Sequence, residues 1–198
     1  MEDKQTQEVE KRALLDRSEY EAVRSKLLEL GATDKGTVSV EDVYFCNKEV
    51  KSFSEIEMND VGSFSLRLRR QSVEGASEET IMNVKIITKE NDHNSWEEHE
   101  TSTKSLEESS AILKAIGFKP FCTIIKTRDT YTLDGVDVIL ENIQDFGLGV
   151  EAEIITTKDK GDEAKAKIDE ILSRLGIDNS KIVKKSITNI IMHERAQF

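Results

Sequence analysis

One proline, two cysteines, three histidines and one tryptophan occur in 198 residues. Each scarcity narrows the field. Cys46 and Cys122 are far apart, no CxxC occurs and histidines are few, so no zinc site is expected. The two thiols read as free cysteines of a reducing, cytoplasmic compartment. No apolar run approaches 18 residues, so no transmembrane helix and no membrane partner are expected. The opening segment MEDKQTQEVEKR is polar and acidic, unlike a secretory signal.

Charge is abundant instead. Charged residues make up 34% and hydrophobic residues 37% of the chain. Seven phenylalanines and clear hydrophobic periodicity argue for a folded chain rather than a disordered one. The length suits a single domain over residues 1–198. A formal charge of −11 disfavours nucleic acid as a partner, because most of the surface would repel a phosphate backbone. A small anionic ligand remains compatible. Exposed charges beyond about 10 Å are screened, so a local cluster of cations can hold phosphate inside an acidic shell.

The pattern predicts a first strand at about Thr6 to Leu15. A helix follows, with Ser18 and Glu21 at capping-box spacing, Val23, Leu27 and Leu30 as its stripe, and Gly31 as its stop. GTVSVEDVYF reads as a second strand and residues 47–61 as loop. Strands are expected at about 62–71, 80–88 and 95–102, with a turn at 89–94. A helix from Leu106 to Ile116 follows Ser105, and Gly117 closes it. Three long strands are expected at about 118–132, 136–144 and 148–157, the first two joined at LDG, a hairpin signal. A helix at about 162–175 ends at Gly176, and a short one lies near 186–196. LLELGA, ILKAIGF and ILSRLGI end three helices alike, which suggests a weak internal repeat. Roughly eight strands and few helices predict an α+β fold, an antiparallel sheet that curls or closes, with helices packed outside.

In SFSLRLRR, Phe64, Leu66 and Leu68 fall on one side of a strand and Ser65, Arg67 and Arg69 on the other. The same alternation recurs along the chain. Glu8, Glu10 and Arg12 share a face, as do Glu98 and Glu100, Lys126 and Arg128, and Glu151 and Glu153. Lys85 sits alone in MNVKII, and Glu141 follows VIL. Ordinary wet faces mix polar residues of several kinds. Here like charges recur two apart, where they repel unless something of opposite sign lies between them. An arginine-lined face suits phosphate or carboxylate. A glutamate-lined face suits a hard divalent cation. Both together point to a lumen for a metal–polyphosphate complex, with Phe64, Leu66 and Leu68 turned outward under a helix.

EVEKR, SLRLR, NVKI, EHET, KTR and GLGVEAE, in this order over about residues 7–195, resemble the motifs of the CYTH superfamily, the triphosphate tunnel enzymes. EVEKR is similar to the family's ExExK opening. RSKLLELGA, VEDVYF and AIGFKPFCTIIKTRDTY are most similar to its class IV adenylyl cyclase branch. The resemblance implies an eight-stranded antiparallel barrel, Mg²⁺ or Mn²⁺ as cofactor, and a nucleoside or inorganic triphosphate as substrate. Glu8, Glu10, Glu141, Glu151 and Glu153 are the implied metal ligands, with Glu98 and Glu100 in support. Arg12, Arg67, Arg69, Lys85, Lys126 and Arg128 are the implied triphosphate ligands, and Arg12, Lys85 and Arg128 the catalytic cations. A homodimer is one option for assembly.

Arg12 departs from the family's usual lysine. A guanidinium stays protonated, so it can hold phosphate but not accept a proton. Three functions are therefore carried forward: a class IV adenylate cyclase (ATP to cyclic AMP and pyrophosphate), an inorganic or organic triphosphatase, and a non-catalytic polyphosphate-binding module. His93, His99, Lys184 and Lys185 read as surface residues and Trp96 as a packing residue. No base-recognising residue is legible.

Overall fold

The computed structural model describes residues 6–56, 60–73, 77–90 and 95–195. Among the described residues nine strands form: β1 (Thr6–Leu15), β2 (Thr33–Asn47), β3 (Phe64–Val73), β4 (Glu79–Ile87), β5 (Ser95–Thr103), β6 (Phe118–Leu133), β7 (Val136–Ile143), β8 (Gly147–Thr157) and β9 (Ile182–Val183). Four α-helices accompany them: α1 (Arg17–Glu29), α2 (Leu106–Ala115), α3 (Gly161–Arg174) and α4 (Ile187–Arg195). The sheet order is β5-β4-β3-β2-β6-β7-β8-β1-β9, and β5 also pairs with β1. The pairings of the first eight strands thus return to their start, the topology of the expected closed antiparallel barrel. The β9 pair is an addition. Two residues carry too little periodicity to announce a strand, and β9 exists because Val183 and Ile182 find Arg12 and Ala13 of β1.

The chain forms two compact units, one of Met1–Val38 and Lys126–Lys184, the other of Ser39–Ile125 and Lys185–Phe198. The first has the larger apolar core. Val9 and Ala13 of β1, Val138 and Leu140 of β7, and Val150 and Ala152 of β8 are completely buried. They pack with Tyr20, Val23 and Leu27 of α1 and with Ile168, Ile171 and Leu172 of α3. Burying each larger aliphatic side chain contributes about 1.5–3 kcal/mol. The alternation on β1 therefore has its cause: odd positions are held against helices, and positions 8, 10 and 12 must face the other way. Lys11, although odd, carries a charge that is paired. Its ammonium reaches Asp169 on α3 at 2.5 Å, with 18% of the side chain exposed.

The helix signals shift in one place. α1 is capped by Asp16, not Ser18. Asp16 accepts from the Glu19 amide at 2.8 Å, and the Glu19 carboxylate accepts from the Asp16 amide at 3.0 Å. Two overlapping boxes of equal spacing compete, and Ser18 instead donates to Asp16. Ser105 caps α2 as expected, accepting from the Glu108 amide. The 133–135 hairpin turns at Asp134 (φ 51°) and Gly135 (φ 79°), two successive left-handed residues, as a type I′ turn requires.

In the second unit, Leu66 and Leu68 of β3 join Val43 and Phe45 of β2 and Leu113 of α2, with Leu106 packed alongside. Phe64 breaks the expectation that all three apolar residues of β3 lie under a helix: it is 49% exposed. It opens the strand, outside the cluster that α2 covers, and lines a cavity instead. Trp96 packs with Ile87 at 3% exposure, and Lys184 and Lys185 are exposed, as expected. The His93 expectation lies outside the described residues. Among the described residues, no helix is long and apolar enough to cross a membrane.

Candidate functional site

The first unit gathers the charges of β1, β6, β7 and β8. Register places Glu10 directly opposite Glu153 and Arg12 opposite Glu151. It also places Arg128 opposite Glu141. Carboxylate oxygens of Glu8, Glu10 and Glu153 lie within 4.8 Å of one another. Like charges directly opposed on adjacent strands are destabilising. Three converging carboxylates are the hard-oxygen donor set that Mg²⁺ or Mn²⁺ takes, so these residues fit such a cation.

Glu141 and Glu151 do something different. Glu141 is completely buried and accepts from Lys126 at 2.6 Å and from Arg12, with Arg128 at 3.4 Å. Burial by itself would raise this carboxyl. Arg12, Lys126 and Arg128 outweigh burial and hold it well below the usual carboxylate range. Glu151 takes the other arm of Arg12 and lies 3.8 Å from Arg128. Arg128 also lies 3.8 Å from Glu153, which links the cations to the acidic trio. Its ion pairs are long, and its buried Nε has no hydrogen-bond partner. Arg128 is thus the cation least consumed by its neighbours, while Lys126, 3% exposed, is pinned on Glu141.

The second unit is built around Asp42 of β2. Arg69 donates twice to it, Nε at 2.8 Å and Nη2 at 3.0 Å. Arg67 lies farther off, Nε to Asp42 at 3.6 Å, and that buried Nε has no hydrogen-bond partner. Burial would lower the Arg67 guanidinium, but Asp42 and Tyr44 raise it above its ordinary value. Tyr44 is itself raised, chiefly by burial. Lys85 of β4 faces Glu98 of β5 in register, with 4.0 Å between ammonium and carboxylate, and sits 6.0 Å from the Trp96 ring centre. Asn83 donates to Glu98. Glu100 is exposed.

The structure therefore brings Glu8, Glu10, Arg12, Lys126, Arg128, Glu141, Glu151 and Glu153 into one network in the first unit. It places Arg67, Arg69, Lys85 and Glu98 in the second. Asp42 and Asn83 were not singled out from sequence. A signal for Asp42 existed: it is two residues before Tyr44 and so shares a strand face with it, buried and acidic where arginines are abundant.

A CYTH domain family model matches residues 6–187. A Methanocaldococcus jannaschii protein, named provisionally as an adenylate cyclase, is 30% identical over 91 residues, covering 46% of this chain and 52% of that relative. The chain thus spans about half the length of that curated relative. Among solved structures, the PH1819 protein from Pyrococcus horikoshii is similar with a TM-score of 0.79 and 24% identity, covering 95% of this chain and 99% of its own. A Hippeastrum protein is similar with a TM-score of 0.64 and 15% identity, covering 98% of this chain and 97% of its own. Its structure carries the description of a provisional adenylyl cyclase with a dominant triphosphatase activity. At these identities the two solved structures show the fold.

Proposed function

Because the chain belongs to the CYTH domain family, we propose that it is a divalent-cation-dependent enzyme that processes a triphosphate, most like a class IV adenylate cyclase. The carrying observation is the convergence of Glu8, Glu10 and Glu153, with Glu10 and Glu153 directly opposed. Such a trio is relieved by a cation. When bound there, Mg²⁺ or Mn²⁺ would neutralise phosphate charge and polarise an oxygen.

The chain's own residues supply the rest. Arg128, with its Nε unspent, is assigned to a phosphate oxygen of the substrate. Arg12 and Lys126 are held in place by Glu141 and Glu151 and keep positive charge fixed before substrate arrives. Charge fixed in advance costs no reorganisation during reaction. Arg67 and Lys85 are assigned to triphosphate binding as well, on the strength of the family, and Arg69 to holding Asp42. In the cyclase reaction the ribose 3′-oxygen attacks the α-phosphorus as its proton passes to solvent water. The bond from that phosphorus to the bridging oxygen breaks, and pyrophosphate leaves. Arg12 cannot take the hydroxyl proton, so it serves by charge alone.

The partial resemblance to the Methanocaldococcus protein supports the cyclase. A triphosphatase is the second reading, because the same charges would serve attack by water. Incubation with ATP and Mn²⁺ decides. Cyclic AMP with pyrophosphate establishes the cyclase; orthophosphate from ATP or tripolyphosphate establishes the hydrolase. Binding without turnover of any triphosphate overturns the enzyme reading and leaves a binding module.

A further inference from the structure

VEDVYF sets Tyr44 two residues after Asp42, so the two share a strand face. Asp42 is completely buried and Tyr44 nearly so. Two guanidiniums meet Asp42, and they are served unequally. Arg69 takes both carboxylate oxygens, at 2.8 and 3.0 Å. Arg67 is left with its Nε at 3.6 Å, beyond hydrogen-bond range. Its second anchor is Tyr44, whose phenol oxygen accepts from the Arg67 guanidinium. The Tyr44 ring is in turn held by Phe121, with ring centres 6.3 Å apart, and Phe121 by Phe53 at 6.0 Å. Rings packed in this way fix where the phenol oxygen stands.

The two acceptors act differently on a cation. A carboxylate orients a guanidinium and also cancels its charge. A neutral phenol orients it and leaves the charge whole. Tyr44 is kept neutral, because burial above all pushes its hydroxyl up from the ordinary value of about 10. The competing resting place for Arg67 is Asp42 itself. Closing the 3.6 Å gap by about 0.7 Å would make a charge-assisted bond and spend Arg67 on the carboxylate. Instead the buried Nε of Arg67 has no hydrogen-bond partner.

We propose that Tyr44 is the positioning residue of Arg67. Its phenol oxygen holds the guanidinium off Asp42, so that charge and Nε–H stay open to a phosphate oxygen. The role concerns the phosphates, not any group attached to them. The inference rests on the triphosphate reading above and adds to it a residue that carries no charge of its own.

Calorimetry with inorganic tripolyphosphate and Mg²⁺ tests it, since this probe has no head group for the Tyr44 ring to touch. Tyr44→Phe keeps the ring on Phe121 and removes only the oxygen, so its melting temperature is expected within about 4 °C of wild type. Its dissociation constant for the probe is expected to rise about fivefold. In the Arg67→Ala background, adding Tyr44→Phe is expected to change the constant less than about twofold, because the residue through which Tyr44 acts is gone. With ATP and Mn²⁺, Tyr44→Phe is expected to raise KM and leave kcat within about twofold. Wild-type affinity in Tyr44→Phe, a loss that persists undiminished in Arg67→Ala, or a fall in kcat at constant KM overturns the role. The two readings fail separately. Tripolyphosphate bound by wild type, with no triphosphate turned over, sinks the enzyme and leaves Tyr44 to be judged by the binding cycle. Turnover with undiminished affinity in Tyr44→Phe sinks the positioning role alone. Wild type that binds no tripolyphosphate overturns both.

Discussion

The charged networks described in the two units carry opposite surpluses. In the first, five carboxylates (Glu8, Glu10, Glu141, Glu151 and Glu153) stand against three cations (Arg12, Lys126 and Arg128). In the second, Arg67, Arg69 and Lys85 stand against Asp42 and Glu98. One network has more carboxylates than cations and the other more cations than carboxylates. Converging carboxylates suit a metal, and guanidiniums sharing one carboxylate suit an anion. The difference also separates two kinds of residue inside each unit. Glu141 and Asp42 are completely buried and organise cations. Arg128 and Arg67 each keep a buried Nε without a hydrogen-bond partner.

The comparison breaks most sharply at Glu141. Glu141→Ala removes the buried partner of Lys126 and one of the two carboxylates on Arg12, and is expected to cost about 3–5 kcal/mol in urea unfolding. Its native carboxyl lies below the unfolded value of about 4.3. The stability it contributes is therefore complete above that value and is lost as pH falls from there toward the depressed native value. Melting temperature followed from pH 6 to pH 2 should fall more steeply in wild type than in Glu141→Gln. Parallel curves would remove Glu141 from its organising role.

Glu153→Gln should behave in the opposite sense. Turnover with Mg²⁺ or Mn²⁺ is expected to drop at least about a hundredfold, equivalent to roughly 2.7 kcal/mol. Stability without metal should hold or rise, since Glu10 loses a repelling neighbour. Turnover within threefold of wild type would detach the trio from the reaction.

In the second unit, Arg67→Ala should raise the KM for triphosphate about tenfold or more with little change in melting temperature. Arg69→Ala should instead lower the melting temperature, because Asp42 loses its two short hydrogen bonds. A shift of KM by both variants alike would mean that the two arginines share one role. A further effect is expected on wild type itself. Tripolyphosphate with Mg²⁺ at a hundred times its dissociation constant should add up to about 2.7 kcal/mol of stability by mass action. Differential scanning calorimetry with and without Mg²⁺ then shows whether the acidic trio contributes.

The strand faces were legible because their period is two. EVEKR, SLRLR and VEAE can be laid on a pleat without knowing their neighbours, and the buried side of β1 follows from Val9 and Ala13. Which charge meets which was not legible. Alternation assigns Glu141 and Glu153 alike to a charged face, yet one is enclosed by three cations and the other joins two carboxylates. Phe64 shows the same limit from the apolar side: its face was readable, but the reach of α2 was not.

By itself, the order of residues determined the eight main strands, the helix stops at glycine, and the segregation of charge from the apolar faces. These depend on local geometry: the pleat, the turn and the cap. Only the tertiary structure decided that Arg69 is held by Asp42, that three glutamates converge, and that Asn189 of α4 borders the cavity that Phe64 lines. Such pairings join residues far apart in the chain. They are set by strand register and by where loops and the last helix come to rest, and no periodicity within one segment encodes either.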